Sequence, residues 1–331
     1  MQWGGLGDGF DENERKYGIS LELLKFFDKI DYPLSISTKG TWFTKDKRYM
    51  DLISKHPHNW HFKISIITNN KQKAKIIEEE VPSPQERFKA IKRLADKNIN
   101  VTLRLRPYII GLSEDYPTLI ENAANNGANS VTTEFFCLES RARPDLREKY
   151  ETMSKIVGYD LWEFYKKHSR GAGYRRLNYN LKKKIILDMK KRTHDHKMLF
   201  YVSDAHHKEK SDDVCCCGCP PHFKVFKGQF AGALQKVKHS QSKTIHWSEI
   251  DKENKEILSD VPFEAVGFNT SSSALRATRR KQSMHDYMRD IWNTPSSLKS
   301  PYGYFEKIMY PTGLDEEGNV IYKYWKEKAG E

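Results

Sequence analysis

Four of the five cysteines stand within five residues, Cys215-Cys216-Cys217-Gly218-Cys219. The Cys216-x-x-Cys219 spacing lets two thiolates meet one metal ion, and Cys215 or Cys217 can supply a third. His206, His207, His222 and Cys137 are candidates for a fourth ligand. Zinc and an auxiliary iron-sulfur cluster both satisfy this spacing, and redox-active thiols are a third reading. Unrelated buried thiols are the reading without chemistry. A second constellation is charged. Arg104, Arg106 and Glu134 occupy alternate positions of short β-branched runs, and Ser65 and Thr68 stand in or just after another. Turned inward, the charged groups must pair with one another or meet a charged ligand, because an uncompensated buried charge is costly.

The elements that would position these residues are legible as a repeating phrase over the first 140 residues: an apolar run, a polar turn, then a segment with helical spacing. LSIST (34–38), FKISII (62–67), VTLRLR (101–106), NSVTTEFF (129–136) and MLFYVSD (198–204) read as strands. The helix SPQERFKAIKRLADKNI is the best marked. Ser83 caps it, Pro84 takes its first position, Glu86 completes a capping box, and Phe88, Ile91, Leu94 and Ala95 share one face. SLELLKFFDKI is a second amphipathic helix, and further helices are expected over 116–126, 145–170, 178–195 and 228–239. Strand and helix in alternation mean parallel strands joined by crossovers. Polar residues at every second strand position favour a full or partial barrel with a ligand-bearing lumen over a sheet covered on both faces.

The chain has 331 residues, enough for one large α/β domain with appendages or for two domains. Lys and Arg outnumber Asp and Glu by 56 to 44, a net charge of +12 that favours polyanionic partners. The basic and aromatic stretch YKKHSRGAGYRRLNYNLKKK (165–184) suits a phosphate backbone, with Tyr174 and Tyr179 near the bases, and equally suits solvated helix faces. With no signal pattern, no apolar run of membrane-spanning length and no disulfide framework, the sequence predicts a soluble cytoplasmic protein.

WGGLGDGFDENERKYG, LSISTKG, FKISIIT and EEEVPSPQERFKAIKRLADKNINVTLRLRPYIIG, in that order and spacing, resemble the radical S-adenosylmethionine superfamily in its spore photoproduct lyase-like branch. The resemblance covers residues 3–137, the family's second strand through its sixth. Residues 198–219 are similar to a Ser-Asp-Ala-His and Cys-Cys-Gly segment of a bacterial and phage group of these proteins. The resemblance implies a truncated, TIM-like partial (β/α) barrel over residues 1–140. A helical segment, final strand and cysteine-rich loop would follow over 141–227, and a mostly helical extension over 228–331.

The activity implied is reductive cleavage of S-adenosylmethionine to a 5′-deoxyadenosyl radical that abstracts hydrogen from a substrate. The cofactor carries the hard chemistry, and the protein must bind it, orient it and exclude solvent. The resemblance places Gly4 and Gly5 in the family's glycine motif and Asp8 in the same loop. It also places Ser37, Thr38 and Lys39 where a hydroxyl and a cation suit the cofactor's carboxylate or ribose. Ser65, Thr68, Arg104, Arg106 and Glu134 would face the lumen, and Cys137 is the candidate for a hydrogen-donating thiol. The Cys-x-x-x-Cys-x-x-Cys loop that holds the family's [4Fe-4S] cluster does not occur, since Cys137 is the first cysteine. The expectation is therefore of a barrel beginning at its second strand. A separate N-terminal fragment would bring the cluster loop, a reductant such as a flavodoxin or ferredoxin would supply electrons, and nucleic acid is a candidate substrate. The other reading is an inactive barrel that binds a ligand or nucleic acid and keeps a structural metal site at its cysteines.

Overall fold

In the strand segments the apolar residues fall on alternate positions, so one face of a sheet built from them must be covered and the other carries the polar side chains. The computed structural model describes residues 2–5, 7–140, 143–170, 174–204, 207–213, 218–219, 230–258, 282–305 and 307–325. Its strands begin with β1 (Gln2–Trp3), β2 (Leu34–Thr38), β3 (Trp60–Ser65), β4 (Asn100–Tyr108) and β5 (Ser130–Phe135). β6 (Cys137–Glu139), β7 (Ser169–Arg170), β8 (Tyr174–Leu177) and β9 (Leu199–Val202) follow. One six-stranded sheet has the order β1-β2-β3-β4-β5-β9, and every neighbouring pair in it is parallel. β6, β8 and β7 form a small antiparallel sheet. The large sheet is a partial barrel, with β1 and β9 as its edges among the described residues.

The crossovers carry α1 (Glu12–Tyr17), α2 (Ile19–Lys29), α3 (Lys47–Ile53), α4 (Lys71–Ile77), α5 (Pro84–Ala95) and α6 (Tyr116–Asn125). α7 (Pro144–Val157), α8 (Leu161–His168) and α9 (Tyr179–Asp195) lie between β6 and β9. Ile36, Phe62, Ile64, Val101, Leu103, Val131 and Phe200 are buried in one core with Phe88, Ile91 and Leu94 of α5 and with Ile186 and Met189 of α9. The opposite parity is polar. Ser37 pairs beside Lys63, Lys63 beside Thr102 and Thr102 beside Ser130, while Ser65 pairs beside Arg104, Arg104 beside Thr132 and Thr132 beside Tyr201.

Some local expectations change. Ser83 accepts from the Glu86 N–H at 3.3 Å, but the Glu86 carboxylate pairs with Lys45 at 3.2 Å and Lys89 at 3.0 Å, so it does not close a capping box. The helix expected over 145–170 is two helices, because the first ends at Gly158 and Asp160 caps a new one through the Glu163 N–H. The strand expected at 62–67 runs from Trp60 to Ser65.

The described residues divide into two compact units. The first runs to Asp212 and includes Gly218 and Cys219, so α7 to β9 belong to the same unit as β1 to β5. The second, from Phe230 on, has its own core around Trp247, Trp292 and Tyr322. It combines helices Ala231–His239, Ser248–Leu258, Met284–Trp292 and Pro301–Tyr304 with strands Thr244–Ile245, Met309–Leu314 and Val320–Tyr324. No helix among the described residues is long and apolar enough to cross a membrane.

Candidate functional site

The loop leaving β1 is fixed by its own side chains. Asp8 accepts from the Phe10 N–H at 3.0 Å, the Thr38 hydroxyl at 2.6 Å, the Lys39 N–H at 2.6 Å and the Gly40 N–H at 3.3 Å. An ionised carboxylate offers about four acceptor sites, so Asp8 is committed to holding the loop against the end of β2. Thr38 is committed likewise, since its hydroxyl also accepts from the Gly40 N–H at 2.8 Å. Phe10 stacks on Phe43 with ring centroids 4.0 Å apart, and the Trp42 indole donates to the Phe10 carbonyl at 2.7 Å. Glu14, buried, receives the Ser20 and Leu21 N–H groups at 2.7 and 2.9 Å and thereby satisfies the start of α2.

The two glycines of the loop differ. Gly4 has φ +82°, and a Cβ there would stand 1.9 Å from the Ser37 carbonyl oxygen, whereas a Cβ on Gly5 would meet nothing within 4 Å. Only Gly4 lets the β1 backbone approach β2 this closely.

A cavity of about 240 Å³ opens at the carboxyl ends of β1 to β4, lined by Gly4, Gly5, Gly7, Asp8, Ser37, Thr38, Lys39, Ser65 and Arg104. Ser37 is buried, and its hydroxyl has no hydrogen-bond partner among the described residues. Arg104 donates to the Ser65 hydroxyl at 3.1 Å. Behind the cavity lie two residues that the sequence reading passed over. Lys39 pairs with Glu78 at 2.9 Å, and Glu78 pairs with Arg87 at 2.7 Å. Arg87 also donates to the Ser65 carbonyl and the Pro82 carbonyl, each at 2.8 Å. Its place on α5, four and seven residues before Ile91 and Leu94, was the available signal of burial.

Thr68 lies outside this cavity. Its hydroxyl and the Asn69 N–H donate to Asp115 at 3.1 and 2.5 Å, fixing the loop after β3 to the start of α6.

Arg106 and Glu134 form a second cluster. They are ion-paired, and Arg106 also donates to the Ser203 hydroxyl at 3.4 Å. Burial pushes the Glu134 carboxyl above its ordinary range, against the pull of Arg106. Asp204 pairs with the fully buried Lys182 at 2.5 Å, so this lysine of the basic stretch is not on a solvated helix face. Cys137 pairs in register with Arg176, and its thiol lies 3.7 Å from the Phe135 carbonyl. Burial pushes that thiol up, with Arg176 pulling the other way. Tyr174 is exposed, whereas Tyr179 stacks on His207 with centroids 4.3 Å apart.

Towards the amino ends of the strands, Ser35 contacts His61 Nδ1 at 3.2 Å and His61 Nε2 contacts the Thr102 hydroxyl at 2.7 Å. Thr102 meets the Ser130 hydroxyl at 2.6 Å. Segment 218–219 seats on this belt. Thr102 donates to the Gly218 carbonyl at 3.2 Å, Tyr201 to the Cys219 carbonyl at 3.4 Å, and the buried Cys219 thiol to Ser35 at 3.3 Å. Cys215, Cys216, Cys217, His206 and His222 lie outside the described residues. Among the described residues no group of three or more His, Cys, Asp and Glu is placed to hold a metal ion.

No protein-family model matches the sequence, and neither does any curated protein. Solved structures of spore photoproduct lyase are similar in fold. A double variant with bound AdoMet and dinucleoside spore photoproduct is 16% identical with a TM-score of 0.47. A cysteine-to-alanine variant with the dinucleoside spore photoproduct is 16% identical with a TM-score of 0.48. The enzyme complexed with the same dinucleoside is 17% identical with a TM-score of 0.46. Each match covers 61% of this chain and 60% of the lyase chain, so the similarity spans under two thirds of those structures.

Proposed function

We propose that this chain forms the cofactor-binding half of a radical S-adenosylmethionine enzyme, with the cavity at the carboxyl ends of β1 to β4 holding the methionine portion of S-adenosylmethionine. One observation carries the reading. Eight residues that the sequence resemblance nominated one by one, Gly4, Gly5, Asp8, Ser37, Thr38, Lys39, Ser65 and Arg104, line a single cavity together with Gly7.

The donor set fits such a ligand. A volume of about 240 Å³ lies below the roughly 300–1,000 Å³ of a whole small-molecule pocket, which suits an amino-acid-sized portion of a larger ligand. Lys39 and Arg104 supply cations for a carboxylate, the unpartnered Ser37 hydroxyl supplies a further polar contact, and the lining glycines Gly4, Gly5 and Gly7 leave backbone open to an ammonium. Asp8 and Thr38, with their hydrogen bonds spent on the loop, position the cavity. Bound S-adenosylmethionine supplies the family's hydrogen-abstracting chemistry on receipt of one electron.

The cluster does not fit the described residues. Cys137 and Cys219 are the described cysteines, and two thiols do not make the family's three-thiolate site. No step is therefore assigned through a cluster, and a separate cluster-bearing fragment is the proposed partner, with a flavodoxin or ferredoxin as electron source. Nucleic acid is the proposed substrate class, on the strength of the +12 charge and the exposed Tyr174 within the basic stretch.

The test is anaerobic reconstitution with iron and sulfide, followed by S-adenosylmethionine and a strong reductant, with and without a polypeptide bearing Cys-x-x-x-Cys-x-x-Cys. 5′-Deoxyadenosine is expected only when that polypeptide is present. Its formation by this chain alone would move the cluster to residues 215–219 and overturn the split arrangement. Tight binding of S-adenosylmethionine without cleavage in either mixture would leave a binding protein.

A further inference from the structure

The buried pair Glu78 and Arg87 does not itself line the cavity, yet it contacts the lining residues Lys39 and Ser65 and, through Ser65, bears on Arg104. Arg87, 1% exposed, has its Nη1 shared between Glu78 Oε2 at 2.7 Å and the Ser65 carbonyl at 2.8 Å, while its Nε holds the Pro82 carbonyl at 2.8 Å. Glu78, 4% exposed, brings its other oxygen within 2.9 Å of the Lys39 ammonium as an ion pair, outside hydrogen-bond geometry. Ser65, held at its carbonyl by Arg87, accepts at its hydroxyl from Arg104. The chain of contacts thus runs from one buried guanidinium to Lys39 on one wall and through Ser65 to Arg104 on the other.

The charge arrangement has a consequence. Arg87 and Glu78 cancel each other inside the protein, where either alone would be strongly destabilising. Lys39 is 37% exposed, and a free lysine carries four rotatable bonds and the entropy that goes with them. The Glu78 carboxylate removes that freedom and leaves one net positive charge at the cavity wall, because Glu78 is already neutralised from behind by Arg87.

We infer that Glu78 and Arg87 are positioning residues that fix the Lys39 ammonium as the receptor for a ligand carboxylate. This rests on the proposed reading of the cavity as a site for the methionine portion of S-adenosylmethionine, and it goes beyond that reading by naming what orients the carboxylate contact. Lys39 does not have to be drawn out of solvent when the ligand arrives, and the cost of ordering it is met in the folded protein.

The experiment uses the full-length chain and measures equilibrium binding of S-adenosylmethionine and of its decarboxylated analogue to the wild type, Lys39→Met, Glu78→Gln and the double variant. The readout is the ratio of the two affinities. A variant that merely loosens the fold lowers both affinities together and leaves the ratio in place. The wild type is expected to prefer the carboxylate-bearing ligand. Lys39→Met is expected to remove most of the preference, leaving what Arg104 supplies. Glu78→Gln is expected to reduce it about tenfold, in the middle of the range for residues in one network, and to have no further effect once Lys39 is Met.

A preference that rises in Glu78→Gln would show Glu78 to be a competitor for Lys39 and would overturn the inference, as would an unchanged ratio. Should Glu78→Gln fail to fold, Glu78→Asp keeps the charge that Arg87 requires but withdraws it from Lys39, and the same fall in the ratio is expected. Failure of the wild type to bind either ligand would overturn the reading of the cavity and this inference with it. Binding of both ligands with equal affinity would overturn the inference alone.

Discussion

At Arg106 and Glu134 a single ion pair sits in partly buried surroundings where burial and attraction oppose each other. Burial wins, and the Glu134 carboxyl stands above its ordinary 4.5. A carboxyl raised on folding binds its proton more tightly in the native state. Its ionisation therefore costs stability as pH rises above the unfolded value and through the folded one. Arg106→Gln removes the main opposing pull and is expected to raise the Glu134 pKa further, widening that window. Carboxyl chemical shifts followed through a titration by NMR check this, and an unmoved or lowered Glu134 would contradict the pairing. Eight of the nine residues that line the cavity stand in short motifs that named them from sequence, whereas Gly7 was not named, and Thr68, Arg106 and Glu134 were named but lie elsewhere. Glu78 and Arg87 were not named, because their partners Lys39 and Ser65 lie far off in sequence and meet them only where the end of α4 and the face of α5 come against the sheet.

Among the elements, strand alternation was the clearest signal, and β2 was foreseen to the residue while β3 and β9 shifted by two residues or fewer at each end. β6, β7 and β8 were not foreseen. They hold three, two and four residues, too few for a period to show, and two of them lie in a basic stretch that reads as helix or loop. The closing of the sheet at β9 depends on Asp212. Burial opposes its ionisation, but hydrogen bonds from His194, the Phe200 N–H and Lys190 outweigh it and hold its pKa below the ordinary 3.8. Its contribution is thus fully present above pH 3.8 and is lost as pH falls through the lower, folded value. Asp212→Asn is expected to cost about 1–3 kcal/mol at neutral pH and to flatten the acid limb of stability measured by urea denaturation. An unchanged acid limb would contradict the role. At the other edge, Gly4→Ala is expected to detach β1 and cost at least about 1–3 kcal/mol, while Gly5→Ala leaves the melting temperature within a degree or so. Equal effects of the two would contradict the close approach of β1 to β2.

For the molecule as a whole, the net charge of +12 and the basic stretch predict weak, sequence-tolerant binding to single-stranded nucleic acid. A fluorescence titration is expected to show affinity falling steeply between 50 and 200 mM salt, by roughly tenfold or more if a few phosphates are engaged. Salt-independent binding would contradict an electrostatic footprint. The same scale exposes a stripe on α2 and its flank, where Ile19, Leu23, Phe26 and Ile30 recur at helical spacing and stay exposed. Concentration-dependent association is expected in light scattering, and Phe26→Glu is expected to reduce it without altering the fold; a monodisperse wild-type monomer would contradict this. The amphipathic period of this helix was plain in sequence, but the width of its apolar surface exceeds what the first unit covers, which only the packing shows. We propose above that the cavity at the carboxyl ends of β1 to β4 receives the methionine portion of S-adenosylmethionine. Isothermal titration of S-adenosylmethionine into the wild type and into Gly4→Ala tests it most directly. One saturable site is expected in the wild type and none in Gly4→Ala; no binding to the wild type, or equal binding to both, would contradict this assignment of the cavity.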